Sequence, residues 1–208
     1  MVRREHSDLR NASIRLCADL GLPVPISLPE LESELEVRPL RQLADRALAM
    51  HAAVACAHGL PASVAQDWIQ EEGVAAFLSG AECDVISGSA KHRVAVMLGA
   101  HALYVFSWMM GARAEFNPYG ATPENLVHDF PNLKLKATSE RFREACTLRK
   151  LPEILSVADN VYCLHWACRE LQFRGRSAGV ESVAIEYRRR ALEWALGSDS
   201  WDAICLDT

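Results

Sequence analysis

The amino-acid sequence predicts an all-α protein, an irregular single-domain bundle of about seven to nine helices with a buried central helix near residues 90–110. Three observations carry this expectation. Apolar residues recur at spacings of three and four along nearly every segment, the period of a helix with one buried face. Alternating strand–helix–strand patterns are absent, as are internal repeats and low-complexity tracts. Glycine and proline punctuate the chain at helix-length intervals. The 208 residues suit one domain spanning 1–208, and a chain of this size buries roughly 70% of its unfolded surface without staples.

Taken in order, Ser7 is placed to cap a first helix with Leu9, Ala12, Leu16, Cys17 and Leu20 on its inner face, stopped at Gly21. Pro23, Pro25 and Pro29 then impose an extended connector over 22–38. Within it Glu30, Glu32, Glu34 and Glu36 alternate with other residues. Their period of two fits an extended arm with its acids on one side, and the first turn of the next helix is the alternative.

Pro39 suits the start of a second helix with a stripe of Leu40, Leu43, Ala47, Leu48, His51 and Val54, ending before Gly59. Pro61 opens a shorter third helix bearing Val64, Trp68 and Ile69. Gly73, Gly80 and Gly88 break the next stretch into turns. Ser89 is the expected cap of the central helix, which runs to Gly111 and carries no formal charge from Val94 to Met110. At that length, interrupted by Gly99, His101 and Ser107, it reads as a helix buried on all sides rather than a membrane span.

Residues 112–138, with Pro118, Gly120, Pro123 and Pro131, form the irregular region, with one short helix after Thr122-Pro123. Ser139 is the expected cap of a helix reaching Lys150. Pro152 opens a long helix to about Phe173, and a last helix over about 180–196 aligns Val180, Val183, Ala184, Tyr187, Ala191 and Trp194.

Charge and cysteine usage bound the function. A net charge of −5 repels nucleic acid and anionic membranes. Residues 134–150 run the other way, with six cations against Glu140 and Glu144, and the default reading of that patch is a solvated helix face. Seven cysteines, odd in number and without a CxxC pair, fit reduced thiols in a cytoplasmic protein better than a disulfide framework. The N-terminal residues lack the apolar core of a secretory signal.

No dinucleotide, phosphate-loop, zinc-protease or nucleophile-elbow motif occurs. No cofactor and no metal are expected. His165 with Cys168 and Cys163 falls short of the ligand set zinc requires, and His101 reads as a structural histidine that needs a partner when buried. The polar residues of the last two long helices and the tail form the candidate site: His165, Arg169, Glu186, Arg190, Asp202 and Asp207. Glu186 and Arg190 stand four apart in the order that favours an ion pair, and an arginine fork is suited to gripping a tail carboxylate. A structural lock of the C-terminus is the default, and the border of a pocket for a small polar ligand is the functional alternative.

Several segments resemble one family of mainly bacterial proteins. Leu28-Pro29-Glu30-Leu31-Glu32-Ser33-Glu34 with Asp45-Arg46-Ala47-Leu48, then Leu148-Arg149-Lys150, Glu153-Ile154-Leu155 and His165-Trp166-Ala167, are similar to its first half and centre. Glu186-Tyr187-Arg188-Arg189-Arg190-Ala191-Leu192-Glu193-Trp194 and Trp201-Asp202 with Asp207-Thr208 are similar to its close. The family is the domain of unknown function 4272 family. The resemblance covers nearly the whole chain and is loosest between about 60 and 145. It departs at Cys163, where the family pattern has an arginine, and at Tyr187, which interrupts an acid-arginine-arginine triplet. The resemblance implies a fold and a set of marked positions, and no activity.

The function expected from the sequence is therefore a binding or interaction protein with a protein partner. One form is an immunity-type protein that neutralises a toxin, with the acidic strip Glu30, Glu32, Glu34 and Glu36 facing a basic surface. The alternative is an enzyme or small-ligand-binding protein with a polar pocket near His165, Arg169, Glu186 and Asp202.

Overall fold

A computed structural model describes the backbone of residues 2–23, 28–31 and 35–207. Among these residues there are nine α-helices and no strand: α1 (Val2–Asp19), α2 (Leu40–Ala57), α3 (Ala62–Glu71), α4 (Gly80–Ile86), α5 (Arg93–Met97), α6 (Ala100–Met109), α7 (Glu140–Ala145), α8 (Leu151–Phe173) and α9 (Ser182–Leu196). Short 3₁₀ turns at Ala75–Phe77, Glu124–Asp129, Leu133–Leu135 and Trp201–Ala203 complete the order. Seven to nine helices were expected, and the all-helical class holds.

The helices pack in series. The first helix, α1, lies on α8, which lies on α9; α9 packs on α6, and α6 on α2, which also gathers α3, α4 and α5. The centre is α6 between α2 and α9, with every residue from Ala102 to Met109 buried. Its neighbour α2 is buried from Leu43 through Val54. No helix among the described residues is long and apolar enough to cross a membrane.

The central helix differs from its expected form. Instead of one helix over about 89–111, the chain makes α5 and α6 with a break at Leu98-Gly99. A Cβ on Gly99 would lie 2.8 Å from the Val96 carbonyl oxygen and 3.2 Å from Val54 Cγ2, so the kink and the close approach to α2 both require glycine. Only Val96 of α5 is buried, and Val94 is 71% exposed. An uncharged run is buried on all sides only where neighbours surround it, and α5 packs mainly on α2 and α4 while Val94 stays open to solvent.

Other boundaries also moved. Ser7 lies inside α1 rather than capping it, and Ser89 closes a turn onto the Lys91 amide instead of opening a helix. The expected helix after Ser139 ends at Ala145, because the next residues run extended along α6, with the Thr147 amide donating to Met110 O at 2.9 Å and the Arg149 amide to Met109 O at 3.0 Å. Gly111, at φ +80°, lets α6 end where its own Cβ would lie 3.0 Å from Thr147 O. Val183, assigned to the inner stripe of α9, is 40% exposed, while Arg188 and Arg189 are buried there. The stripe is rotated because these arginines stand three or four residues from Ala184, Ile185, Ala191 and Leu192.

The described parts of the 28–38 segment form no helix, so the arm is favoured over a first helical turn. Glu30 and Glu36 are exposed; Glu32 and Glu34 lie outside the described residues. The arm is held at both ends by arginines. From α1, Arg10 donates to Leu28 O at 2.6 Å and Pro29 O at 2.7 Å. At the far end the Arg38 amide donates to Ala195 O at 2.9 Å, and its side chain to Trp194 O at 2.6 Å and Asp199 O at 2.7 Å.

Candidate functional site: the cleft between α8 and α9

The three consecutive arginines of α9 leave the helix in different directions, about 100° apart per residue. Arg188, fully buried, reaches the irregular region, donating to Pro118 O at 3.0 Å, Gly120 O at 2.8 Å and Thr122 Oγ1 at 3.1 Å. Arg189 turns toward α8, where its Nη1 lies 2.8 Å from His165 Nδ1 and 3.2 Å from Leu206 O, while Nε is 3.2 Å from Glu193 Oε1. Arg190 holds the tail through Ile204 O at 3.2 Å.

Across α8, Asp159 answers Arg10 with a forked ion pair, Nη2 to Oδ1 at 2.7 Å, both side chains being buried. One helical turn on, the Tyr162 ring lies between two guanidinium groups, Arg189 at 4.6 Å and Arg10 at 5.7 Å from its centroid. Cations over an aromatic face are attracted to its π density. Where α8, α9 and the arm meet, a cleft of about 320 Å³ opens, floored by Ala158, Leu192 and Leu196 and walled by Tyr162, Arg189, Glu193, Glu30, Leu31 and Leu35.

Burial lowers the proton affinity of three histidines, His165, His51 and His101. Burial, with the Arg189 and Arg169 charges, pushes His165 down to about 4, and burial pushes His51 down to about 4 against the hydrogen bond it donates to Pro131 O. His101 is lowered by burial and by Arg188, with Glu181 opposing. The buried thiols move the other way: Cys17 and Cys163 rise to about 12 and Cys168 to about 11, chiefly through burial. Nucleophilic cysteines need an accessible thiolate, and these are neutral and enclosed. Among the described residues no group of three His, Cys, Asp or Glu side chains is arranged to hold a metal ion.

A second buried ion pair organises the opposite flank. Arg46 of α2 forks onto Glu82 of α4 at 2.7 and 2.9 Å and also donates to Phe77 O at 2.8 Å. Glu82 closes a capping box with Ser79 at the start of α4. The Arg46 guanidinium lies 4.3 Å from the Trp201 ring centroid, and Trp201 packs near Trp194 and Phe106.

The sequence-derived site residues are not brought into one place. His165 is buried against Arg189. Arg169 and Glu186 are exposed, and the anticipated Glu186–Arg190 ion pair is absent among the described contacts, because Arg190 turns to the tail. Asp202 accepts from the Gly80 amide at 2.9 Å, and Asp207 from Cys205 Sγ at 2.9 Å. The tail is therefore locked by arginines, but through its carbonyl oxygens rather than its side-chain carboxylates.

Sequence reasoning passed over Arg10, Glu82 and Asp159, and it left Arg46, Arg188 and Arg189, which stand in the quoted segments, out of the candidate site. The available signal was a charged residue at an apolar-stripe position, such as Arg46 three residues after Leu43 or Asp159 four before Cys163. Buried charges of this kind are paired or hydrogen-bonded in native structures.

No curated protein and no solved structure is significantly similar to the chain. The family described as domain of unknown function (DUF4272) matches residues 9–204, nearly the whole length. The chain therefore belongs to the DUF4272 family.

Proposed function

We propose that this protein is a binding protein that engages a protein partner through the arm over 28–38, with no chemistry of its own. The observation that supports this most is the way the arm is held. Arg10 grips it at Leu28 and Pro29 and the end of α9 grips it at Arg38, while Glu30 and Glu36 between them point to solvent. A segment secured at both ends loses little freedom on docking, which lowers the cost of association. Its acidic residues favour a basic partner and rapid, salt-sensitive encounter. Neutral, hydrogen-bonded His51 and His165 and the enclosed Cys17, Cys163 and Cys168 thiols favour binding over acid–base or nucleophilic catalysis at those positions. Free buried thiols also favour a reducing, cytoplasmic setting.

The concrete form of this reading is an immunity-type protein whose arm covers a basic toxin surface. Affinity purification of the tagged full chain from its host, beside the Glu30→Lys/Glu36→Lys variant, tests it. The expected outcome is a stoichiometric basic partner that is toxic when expressed alone, is neutralised by co-expression and is lost with the charge reversal. Recovery of no stoichiometric partner, or one indifferent to both reversals, refutes it.

A further inference from the structure

We propose that the cleft between α8, α9 and the arm is a binding site for a small zwitterion with an apolar body, the chemistry of a free α-amino acid with a branched or aromatic side chain. This goes beyond the protein-partner reading and does not depend on it. The central feature is Arg189. Its side chain is 7% exposed, its Nε and Nη1 are committed to Glu193, His165 and Leu206 O, and Nη2 donates to no described group. A buried guanidinium with an open donor, lining a cleft, is a receptor for one oxygen anion.

The remaining charges decide what carries that anion. Glu193 and Glu30 line the same cleft, so among the described residues its walls, with Arg189, total one negative charge. A simple carboxylate meets net repulsion there, and a simple amine leaves Arg189 Nη2 without an acceptor. A molecule bearing both groups satisfies each wall, with its carboxylate on Arg189 Nη2 and its ammonium toward the glutamates. Between them the lining is apolar, with Leu35, Leu192 and Leu196 available to an aliphatic or aromatic side chain. The volume of about 320 Å³ lies at the small end of ligand sites, which suits a single amino acid rather than a peptide or nucleotide. Neutral His165, which can only accept from Arg189, fixes the guanidinium without adding charge.

Calorimetric titration of the full chain with L-leucine, leucinamide and N-acetyl-leucine tests the proposal. L-leucine is expected to bind saturably at one site. Leucinamide, lacking the carboxylate, and N-acetyl-leucine, lacking the ammonium, are each expected to bind at least about tenfold more weakly, the loss of one charge-assisted contact. Arg189→Lys should weaken leucine about tenfold. Because Arg189 also holds the tail, Leu35→Asp serves as the second variant: Leu35 is half-buried against the core, so its titration is run well below the variant's own melting temperature, where leucine binding should be lost from folded protein. Absence of saturable binding by both L-leucine and L-phenylalanine, equal binding of the three leucine compounds, or indifference to Leu35→Asp overturns the proposal. None of these results bears on the protein partner, which is read separately by the reversal at Glu36, a residue outside the cleft lining.

Discussion

His165 Nδ1 and Arg189 Nη1 lie 2.8 Å apart, and because a guanidinium only donates, the imidazole must be the acceptor. The ring is thereby held as the neutral tautomer with its proton on Nε2. Its proton affinity falls to about 4, below the ordinary 6.5. His51, stacked on Phe130 and bonded to Pro131 O, falls to about 4 as well. Between these values the unfolded chain binds protons that the native chain refuses. The stabilisation is complete above pH about 6.5 and is lost as pH falls toward 4, by roughly 3 kcal/mol for each histidine. Denaturant unfolding measured across that range should show the decline, and His51→Gln with His165→Gln should flatten it. A level profile in the parent would contradict the neutral assignment.

Arg46 and Glu82 form an enclosed pair joining α2 to α4. Removing one partner leaves the other charge buried, so Arg46→Met and Glu82→Leu should each destabilise by about 3–5 kcal/mol. The double variant should recover much of that loss, because it leaves no orphaned charge. Equilibrium unfolding of the three variants measures the coupling directly.

Arg188 serves the irregular region over 112–122. Its guanidinium binds three successive oxygens there, and Tyr104 OH accepts from the Asn117 amide beside it. Arg188→Met should cost about 2–3 kcal/mol and should speed hydrogen exchange at Asn117 and Gly120, with little change at the buried amides of α6. Uniform acceleration across the chain would mean that Arg188 supports the whole fold instead.

Trp201 and Asp202 separate packing from charge at the tail. Trp201 is half-buried among Trp194, Phe106 and Arg46, so Trp201→Ala should destabilise by about 2 kcal/mol, less than the ~3–5 of a fully enclosed ring. Asp202 makes one exposed hydrogen bond to the Gly80 amide, and Asp202→Ala should stay within about 1 kcal/mol of the parent. The reverse ranking in thermal melts would restore a carboxylate as the principal fastening.

Much of the fold is legible in the residues. The limits of α2, α3 and α8 follow from Pro39, Pro61, Pro152 and the glycines beyond them, because proline and glycine restrict the backbone locally, whatever surrounds it. The break at Leu98-Gly99 and the early end of α7 are less legible. Each follows from a contact with a distant segment, Val54 in one case and the α6 carbonyls in the other.

The candidate site divides in the same way. Sequence alone determined the all-helical class, the family membership and the concentration of polar residues near the C-terminus, since periodicity and local backbone preference are written residue by residue. Only the tertiary structure decided that Arg169 and Glu186 face water, that the tail is held by its carbonyl oxygens, and that Arg189 keeps an open donor in a cleft. Three adjacent arginines read alike along a chain. What each one does depends on the carbonyl, ring or imidazole that packing brings opposite it, and those partners come from segments far away in sequence.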